Sequence, residues 1–346
     1  MWYNQFVSYI YKFIKERLIN IKDINKNRNL IFDNLKGFLI LCVIVGNSLE
    51  YTEPHSINLH YLILILYLFH MPLFAFISGY FYEHSSRSIK EMISKIIFLY
   101  IFFQIFYYFF EKFLFKSPGI DIELFYPQWT LWYLLTLSCL YVICSFISNK
   151  KIWLISSFVI ALIIGYDTSV GTHISLSRTF FFLPIFILGM TFKEKYIKTI
   201  KKYLKYLIPC LFIILIIVFH YRNLLFVETF FEYTYYEFYY DNPNISLFLR
   251  IFHYFSAFII GSTLLAVTTN KKTPLSYLGK NSLILYLSHS GITRLLLKFS
   301  LLKYDSTLNI IISEFKVVIL TIVVSFIYLK IKEIIILTIK NNYHKA

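Results

Sequence analysis

Apolar runs long enough to cross a bilayer recur from one end of this chain to the other, separated by short polar segments. A helix needs about 20 largely apolar residues to span the hydrocarbon core. The runs predict about ten spans, at 33–50, 59–81, 93–113, 128–148, 150–167, 176–192, 203–220, 245–269, 280–300 and 314–336. The expected fold class is all-α, a polytopic integral membrane helical bundle. Ahead of the first run, Phe6, Ile10, Phe13, Ile14 and Leu18 recur at helical spacing, with Lys12, Lys15, Glu16 and Arg17 elsewhere around the helix. Segment 1–30 therefore reads as an amphipathic cytoplasmic segment lying on the membrane, and 31–340 as the membrane domain. The segment lacks the uninterrupted apolar core and small-residue cleavage site of a secretory leader.

Two neighbouring runs break the apolar pattern. FDNLKGFLILCVIVGNSLE (Phe32–Glu50) and LYLFHMPLFAFISGYF (Leu66–Phe81) carry Asp33, Lys36, Asn47 and His70. A charge near the bilayer centre costs on the order of 2.5–3.5 kcal/mol on insertion scales, so such groups face a protein interior or a wet cavity and mark candidate functional sites.

The connecting segments orient the spans. Six Lys/Arg lie between Lys12 and Arg28, Arg87 and Lys90 follow span two, and Lys150 and Lys151 follow span four. Six lysines fall between Lys193 and Lys205, and Lys271, Lys272 and Lys280 follow span eight. The alternate segments hold Glu50 and Glu53, the surroundings of Asp167, and the loop YRNLLFVETFFEYTYYEFYYDNPN with one Arg against Glu228, Glu232, Glu237 and Asp241. The positive-inside rule then puts both termini in the cytoplasm. At 1.5 Å of rise per residue, Lys36 lies near the cytoplasmic mouth of span one and Asn47 roughly 16 Å further out. His70, His253 and His289 come out at middle depths. A cavity lined by Asn47, His70, His253 and His289 is geometrically possible.

Composition narrows the function. Hydrophobic residues are 58%, charged residues 15% and mean hydropathy is +0.63, which excludes a set of soluble domains. The net charge of +15 sits mostly in short loops, where membrane orientation and anionic lipid account for it, and no nucleic-acid partner is expected. Cys42, Cys139, Cys144 and Cys210 lie inside apolar runs without a CxxC pair, so neither a disulfide frame nor a metal site is expected. No GxGxxG, Walker, HExxH or DxD-type motif supports nucleotide-driven transport or glycosyl transfer.

Five pieces, FDNLKGFLILCVIVGN, FHMPLFAFISGYF, PQWTLWYLLTL, LSRTFFFLPIFILGM and LGKNSLILYLSH, occur in order over about residues 31–290. In these the chain resembles the acyltransferase-3 family of membrane O-acyltransferases, and most closely its fucose 4-O-acetylase-like branch. The resemblance implies transfer of an acyl group, with acetyl-CoA the expected donor, from cytoplasmic acyl-CoA to a cell-surface polysaccharide or lipid-linked sugar in a bacterial plasma membrane. It implies no metal. The family places a basic residue in span one, matched by Lys36, and a catalytic His eleven positions later. Here that position is Asn47.

An amide cannot take the acceptor's proton, which is the task His performs near neutral pH; it can hydrogen-bond a hydroxyl or an oxyanion. Three readings stand. His70, or in its place His289, supplies the base while Asn47 holds the acceptor or oxyanion; the protein exports or flips its glycan without acylating it; or the chain has lost activity. On the first reading the catalytic set is His70, Asn47 and Lys36, with Asp33, Arg178, His289 and Trp129 binding substrate. Each has a structural alternative. Lys36 can snorkel with Asp33 as partner, and His70 can satisfy a carbonyl freed by Pro72. Trp129 and Trp132 can belong to an interfacial belt, His289 can join two helices, and Arg178 can neutralise a carboxylate such as Asp167. For His253 with Arg250 one turn away, the structural reading is preferred. The Tyr-rich loop 221–244 suits either sugar recognition, with rings stacking and acids accepting hydroxyl protons, or an interfacial or re-entrant hairpin.

Overall fold

The computed structural model describes residues 29–51, 57–116, 121–232 and 234–343. The predicted amphipathic segment 1–30 lies outside them apart from its last two residues. Among the described residues the regular structure is helical, with no strand. The α-helices are α1 (Leu30–Leu49), α2 (Ile57–Tyr67), α3 (His70–Glu83), α4 (Ile89–Phe109), α5 (Trp132–Ser145), α6 (Lys150–Ile163) and α7 (Leu176–Thr191). They continue with α8 (Lys195–Lys202), α9 (Leu204–Tyr221), α10 (Pro243–Val267), α11 (Pro274–Lys280), α12 (Ser282–Lys298) and α13 (Thr307–Tyr343). Every predicted span is helical. Seven stretches among the described residues are long and apolar enough to cross a membrane, namely Leu30–Leu49, Asn58–Glu83, Ile89–Phe115, His173–Thr191, Leu204–Tyr221, Pro243–Val267 and Thr307–Thr338. The helices at Trp129–Ser145, Lys150–Ile163 and Ser282–Lys298 are shorter. The protein is a multi-pass helical membrane bundle.

Helices in lipid gain little from hiding apolar surface, so close backbone approach and interhelical hydrogen bonds hold them together. Two glycine pairs provide that approach. A Cβ on Gly79 of α3 would stand 2.0 Å from the Phe186 carbonyl oxygen, and one on Gly189 of α7 would stand 2.0 Å from that of Phe76. Where α11 crosses α1, a Cβ on Gly37 would meet the Leu275 carbonyl oxygen at 2.0 Å, and one on Gly279 the Asp33 carbonyl oxygen at 1.8 Å. The same crossing is bolted by Asn34, whose Nδ2 donates to the carbonyls of Thr269 and Lys271, both at 2.8 Å, while its Oδ1 accepts from the Thr273 hydroxyl at 2.6 Å.

The predicted second span is two helices in line. Its break at Leu68–Phe69 follows from Pro72, which has no N–H to give the carbonyl four residues back. The break puts His70 at the start of α3, where it is buried. The Tyr-rich loop also folds inward, as two short 3₁₀ turns at Val227–Phe231 and Tyr236–Phe238 with Val227, Phe230 and Tyr236 buried. Folded back into the bundle in this way, it is a re-entrant loop.

Candidate active site

Asn47 and Glu50 of α1 and His70 of α3 converge on a cavity of 230 Å³ at the Glu50 end of α1. Its walls come from α1 (Val43, Asn47, Glu50), the α2–α3 break (Tyr67, His70, Met71), the 129–132 turn (Trp129, Thr130, Trp132), α7 (Arg178, Phe182), the re-entrant loop (Phe230, Phe231) and α12 (Tyr286, Ser290, Thr293).

His70 is both anchored and available. Its Nδ1 lies 2.5 Å from the Leu66 carbonyl, and a carbonyl only accepts, so Nδ1 carries a proton and in the neutral ring Nε2 is the nitrogen with the lone pair. The ring packs edge-on against Tyr67 with centroids 4.7 Å apart. Pro72 frees the carbonyl of Leu68, so the carbonyl that His70 meets is not the freed one expected from the sequence; the Leu66 contact nonetheless fixes which ring nitrogen of this cavity-lining imidazole carries the proton.

Asn47 uses both amide hydrogens within the protein. Its Nδ2 donates to the Val43 carbonyl at 3.0 Å and points the other hydrogen at His289 Nε2, 3.3 Å away; its Oδ1 accepts from the Tyr67 hydroxyl at 3.2 Å. His289, fully buried behind Asn47, has Nδ1 2.6 Å from the Tyr286 carbonyl, so its Nε2 is the accepting nitrogen toward Asn47 and the Ser290 hydroxyl at 3.3 Å. An acceptor hydroxyl reaching Asn47 therefore meets the remaining lone pair of Oδ1.

Two tryptophans face the cavity with a cation against each ring. The Arg178 guanidinium lies 4.2 Å over Trp132, and that of Arg294 lies 4.3 Å over Trp129. Arg294 is itself ion-paired with Glu111, on the π-helical turn Phe110–Phe115 that continues α4. Trp129 has φ 48°, a left-handed conformation that is costly for a bulky side chain and is held by its surroundings. Those surroundings are specific. Gln104 accepts from the Gln128 N–H at 3.0 Å, Tyr286 donates to the Thr130 carbonyl, and the hydroxyls of Thr130 and Ser290 meet at 2.9 Å. Arg178 Nε donates to the Phe231 carbonyl at 2.9 Å, so the re-entrant loop and α7 close one wall together.

Residues 29–330 match the model of an acyltransferase domain, Acyl_transf_3. The chain belongs to the acyltransferase-3 family. Within this acyltransferase-family chain a short stretch is 46% identical over 57 residues to nodulation protein NolL of Mesorhizobium japonicum. That alignment spans 16% of the chain and 15% of the relative. No solved structure matches the chain.

Against this geometry the sequence-predicted residues divide into three groups. Asn47, His70, Arg178 and Trp129 line one cavity, and His289 touches Asn47 from behind. Asp33 and Lys36 form an ion pair at 3.2 Å near the opposite end of α1, outside the cavity wall, with Lys36 also 4.8 Å over the Phe81 ring. His253 does not line the cavity; it is fully buried, with Nδ1 3.0 Å from Glu232. Sequence reasoning missed Glu50, Tyr67, Thr130 and Ser290, while Phe230 and Phe231 belong to the aromatic loop it had marked for sugar stacking. Glu50 stands three residues after Asn47, hence on the same side of the helix, and that spacing was the available signal.

Proposed function

We propose that this protein is an O-acyltransferase of the fucose 4-O-acetylase-like branch, moving an acetyl group from cytoplasmic acetyl-CoA to a hydroxyl of a cell-surface polysaccharide or lipid-linked sugar. The site of action is the bacterial plasma membrane. The observation that carries the reading is an imidazole tied through Nδ1 to a backbone carbonyl, His70, in one aromatic-walled cavity with polar side chains and Arg178. Tryptophan faces offer stacking surfaces for a sugar ring, and Glu50, Asn47, Thr130 and Ser290 offer partners for its hydroxyls.

On this reading the acceptor oxygen attacks the thioester carbonyl carbon, forming a C–O bond as the C–S bond breaks. His70 Nε2 takes the hydroxyl proton and returns it to the departing thiolate sulfur. Arg178 supplies positive charge for the oxygen that becomes anionic in between. Asn47 orients the acceptor through Oδ1 and holds His289 in place. Lys36 and Asp33, eleven or more residues along α1 from Asn47, sit where an extended donor presents its charged end while its thioester reaches the cavity. Membrane lipids surround the bundle and deliver a lipid-linked acceptor.

A glycan exporter on the same scaffold is the second reading, and Asn47 in place of the family histidine favours it. Deleting the gene and measuring alkali-labile O-acetyl groups on the surface polysaccharide by NMR separates the two. Loss of acetyl with polymer retained is expected. Unchanged acetylation with the surface polymer lost would sink the enzyme reading.

A further inference from the structure

The re-entrant loop between α9 and α10 carries a carboxylate to a depth where none is needed for solubility. Glu232 is 3% exposed and has φ 55°. Both of its oxygens are engaged by α10. Oε2 lies 2.7 Å from Arg250 Nη2, and Oε1 lies 3.0 Å from His253 Nδ1. Arg250 is braced in turn, donating from Nη1 to the Ala161 carbonyl at 2.9 Å and lying 4.8 Å over the Tyr236 ring. The Phe230 ring meets the His253 imidazole edge-on at 5.3 Å.

The residue before Glu232 belongs to the cavity. The Phe231 carbonyl accepts from Arg178 Nε, and the rings of Phe230 and Phe231 form part of the wall. Apolar contacts alone would hold those rings without direction, because burial energy depends on area and not on orientation. A carboxylate gripped from two sides fixes a point and a direction. Leaving that grip would strand Arg250 and Glu232 as unpaired buried charges, which is strongly destabilising. The loop is therefore a fixed wall and not a lid.

From this juxtaposition we propose that Glu232 is a positioning residue: its attachment to Arg250 and His253 locks residues 230–232 onto α10 and thereby sets Arg178 and the aromatic wall at the acceptor cavity. The cavity's role as acceptor site rests on the acyltransferase reading; the locking does not. The locking predicts that neutralising the pair loosens the loop without unfolding the bundle, because removing both charges leaves neither stranded.

The test uses the full chain with Thr229→Cys, whose side-chain position has a buried oxygen in the native protein. N-ethylmaleimide modification at residue 229 is followed by peptide mass spectrometry in detergent. Combining Glu232→Gln with Arg250→Met should raise the labelling rate at least tenfold while the helical circular dichroism is unchanged. In cells the same pair should lower surface O-acetyl content at least tenfold, and adding Arg178→Lys should lower it no further. His253→Leu removes one grip and leaves the ion pair, so it should raise labelling about threefold; it decides the matter if the double variant does not fold. Unchanged labelling overturns the proposal, and so does faster labelling with unchanged O-acetyl content. If deletion of the gene itself leaves O-acetyl content unchanged, the acyltransferase reading fails and labelling alone decides the locking.

Discussion

The Asn47 amide nitrogen and the His289 Nε2 stand 3.3 Å apart across the contact of α1 with α12. Since His289 spends its Nδ1 proton on the Tyr286 carbonyl, the amide is the donor and the imidazole the acceptor. The residue in the family histidine's position is thus a brace between two helices of the cavity wall. Replacing Asn47 by Leu would take the acceptor from the Tyr67 hydroxyl and leave His289 Nε2 only the Ser290 hydroxyl, and a buried group left unsatisfied costs about 1–3 kcal/mol. We expect a lower thermal midpoint and at least tenfold lower O-acetyl content, read by NMR of the polysaccharide. Asn47→His keeps a ring N–H for His289 and should preserve or raise acetylation. A complete loss with Asn47→His would argue against a base-compatible geometry at this position.

His70 joins a structural and a chemical task, and two substitutions separate them. His70→Gln retains an N–H able to meet the Leu66 carbonyl and should leave yield and thermal midpoint near wild type. Neither Gln nor Ala can take the acceptor's proton, so both should lower acetylation by about 10²–10⁴-fold, the usual worth of a general base. An active His70→Gln protein would move the base to His289.

Lys36 is predicted to act on the donor. Lys36→Met should raise the KM for acetyl-CoA by about tenfold, roughly 1.4 kcal/mol of binding, with kcat nearly unchanged. A steady-state assay in detergent measures both. A fall in kcat with constant KM would place Lys36 at the reacting atoms instead.

The α3–α7 contact should be intolerant of any side chain. Gly79→Ala or Gly189→Ala puts a carbon 2.0 Å from a backbone oxygen that cannot rotate away. Overpacking of this kind costs about 1–3 kcal/mol or more, so size-exclusion profiles should show reduced monodisperse protein. Gly46→Ala is the control, because its nearest neighbours are side-chain atoms at 3.7 Å and beyond.

Much of this protein is legible in its sequence. The apolar runs locate the long helices, because a segment that must satisfy its own backbone in lipid has helix as its way to do so, whereas the short α8 and α11 lie outside those runs. Asp33, Lys36, Asn47 and His70 are conspicuous for the same reason, since polar groups in apolar runs need partners. The motif resemblance leads to the family that the match over residues 29–330 establishes. What the sequence does not contain is which polar groups meet. Asn47 and His289 are 242 positions apart, and His253 pairs with Glu232 on a loop whose aromatic pattern has no clean period.

Depth along a helix can be counted from residue numbers, and it put Asn47, His70, His253 and His289 within reach of one another. Rotation about each helix axis and the choice of neighbour come from side-chain packing and close glycine contacts between distant segments. Those contacts turn His70 into the cavity, set His289 behind Asn47, take His253 out of the wall and bring Phe231 to Arg178. The sequence by itself therefore determined the helical membrane class, the family and the polar residues worth watching. Only the tertiary structure decided which of them share a site.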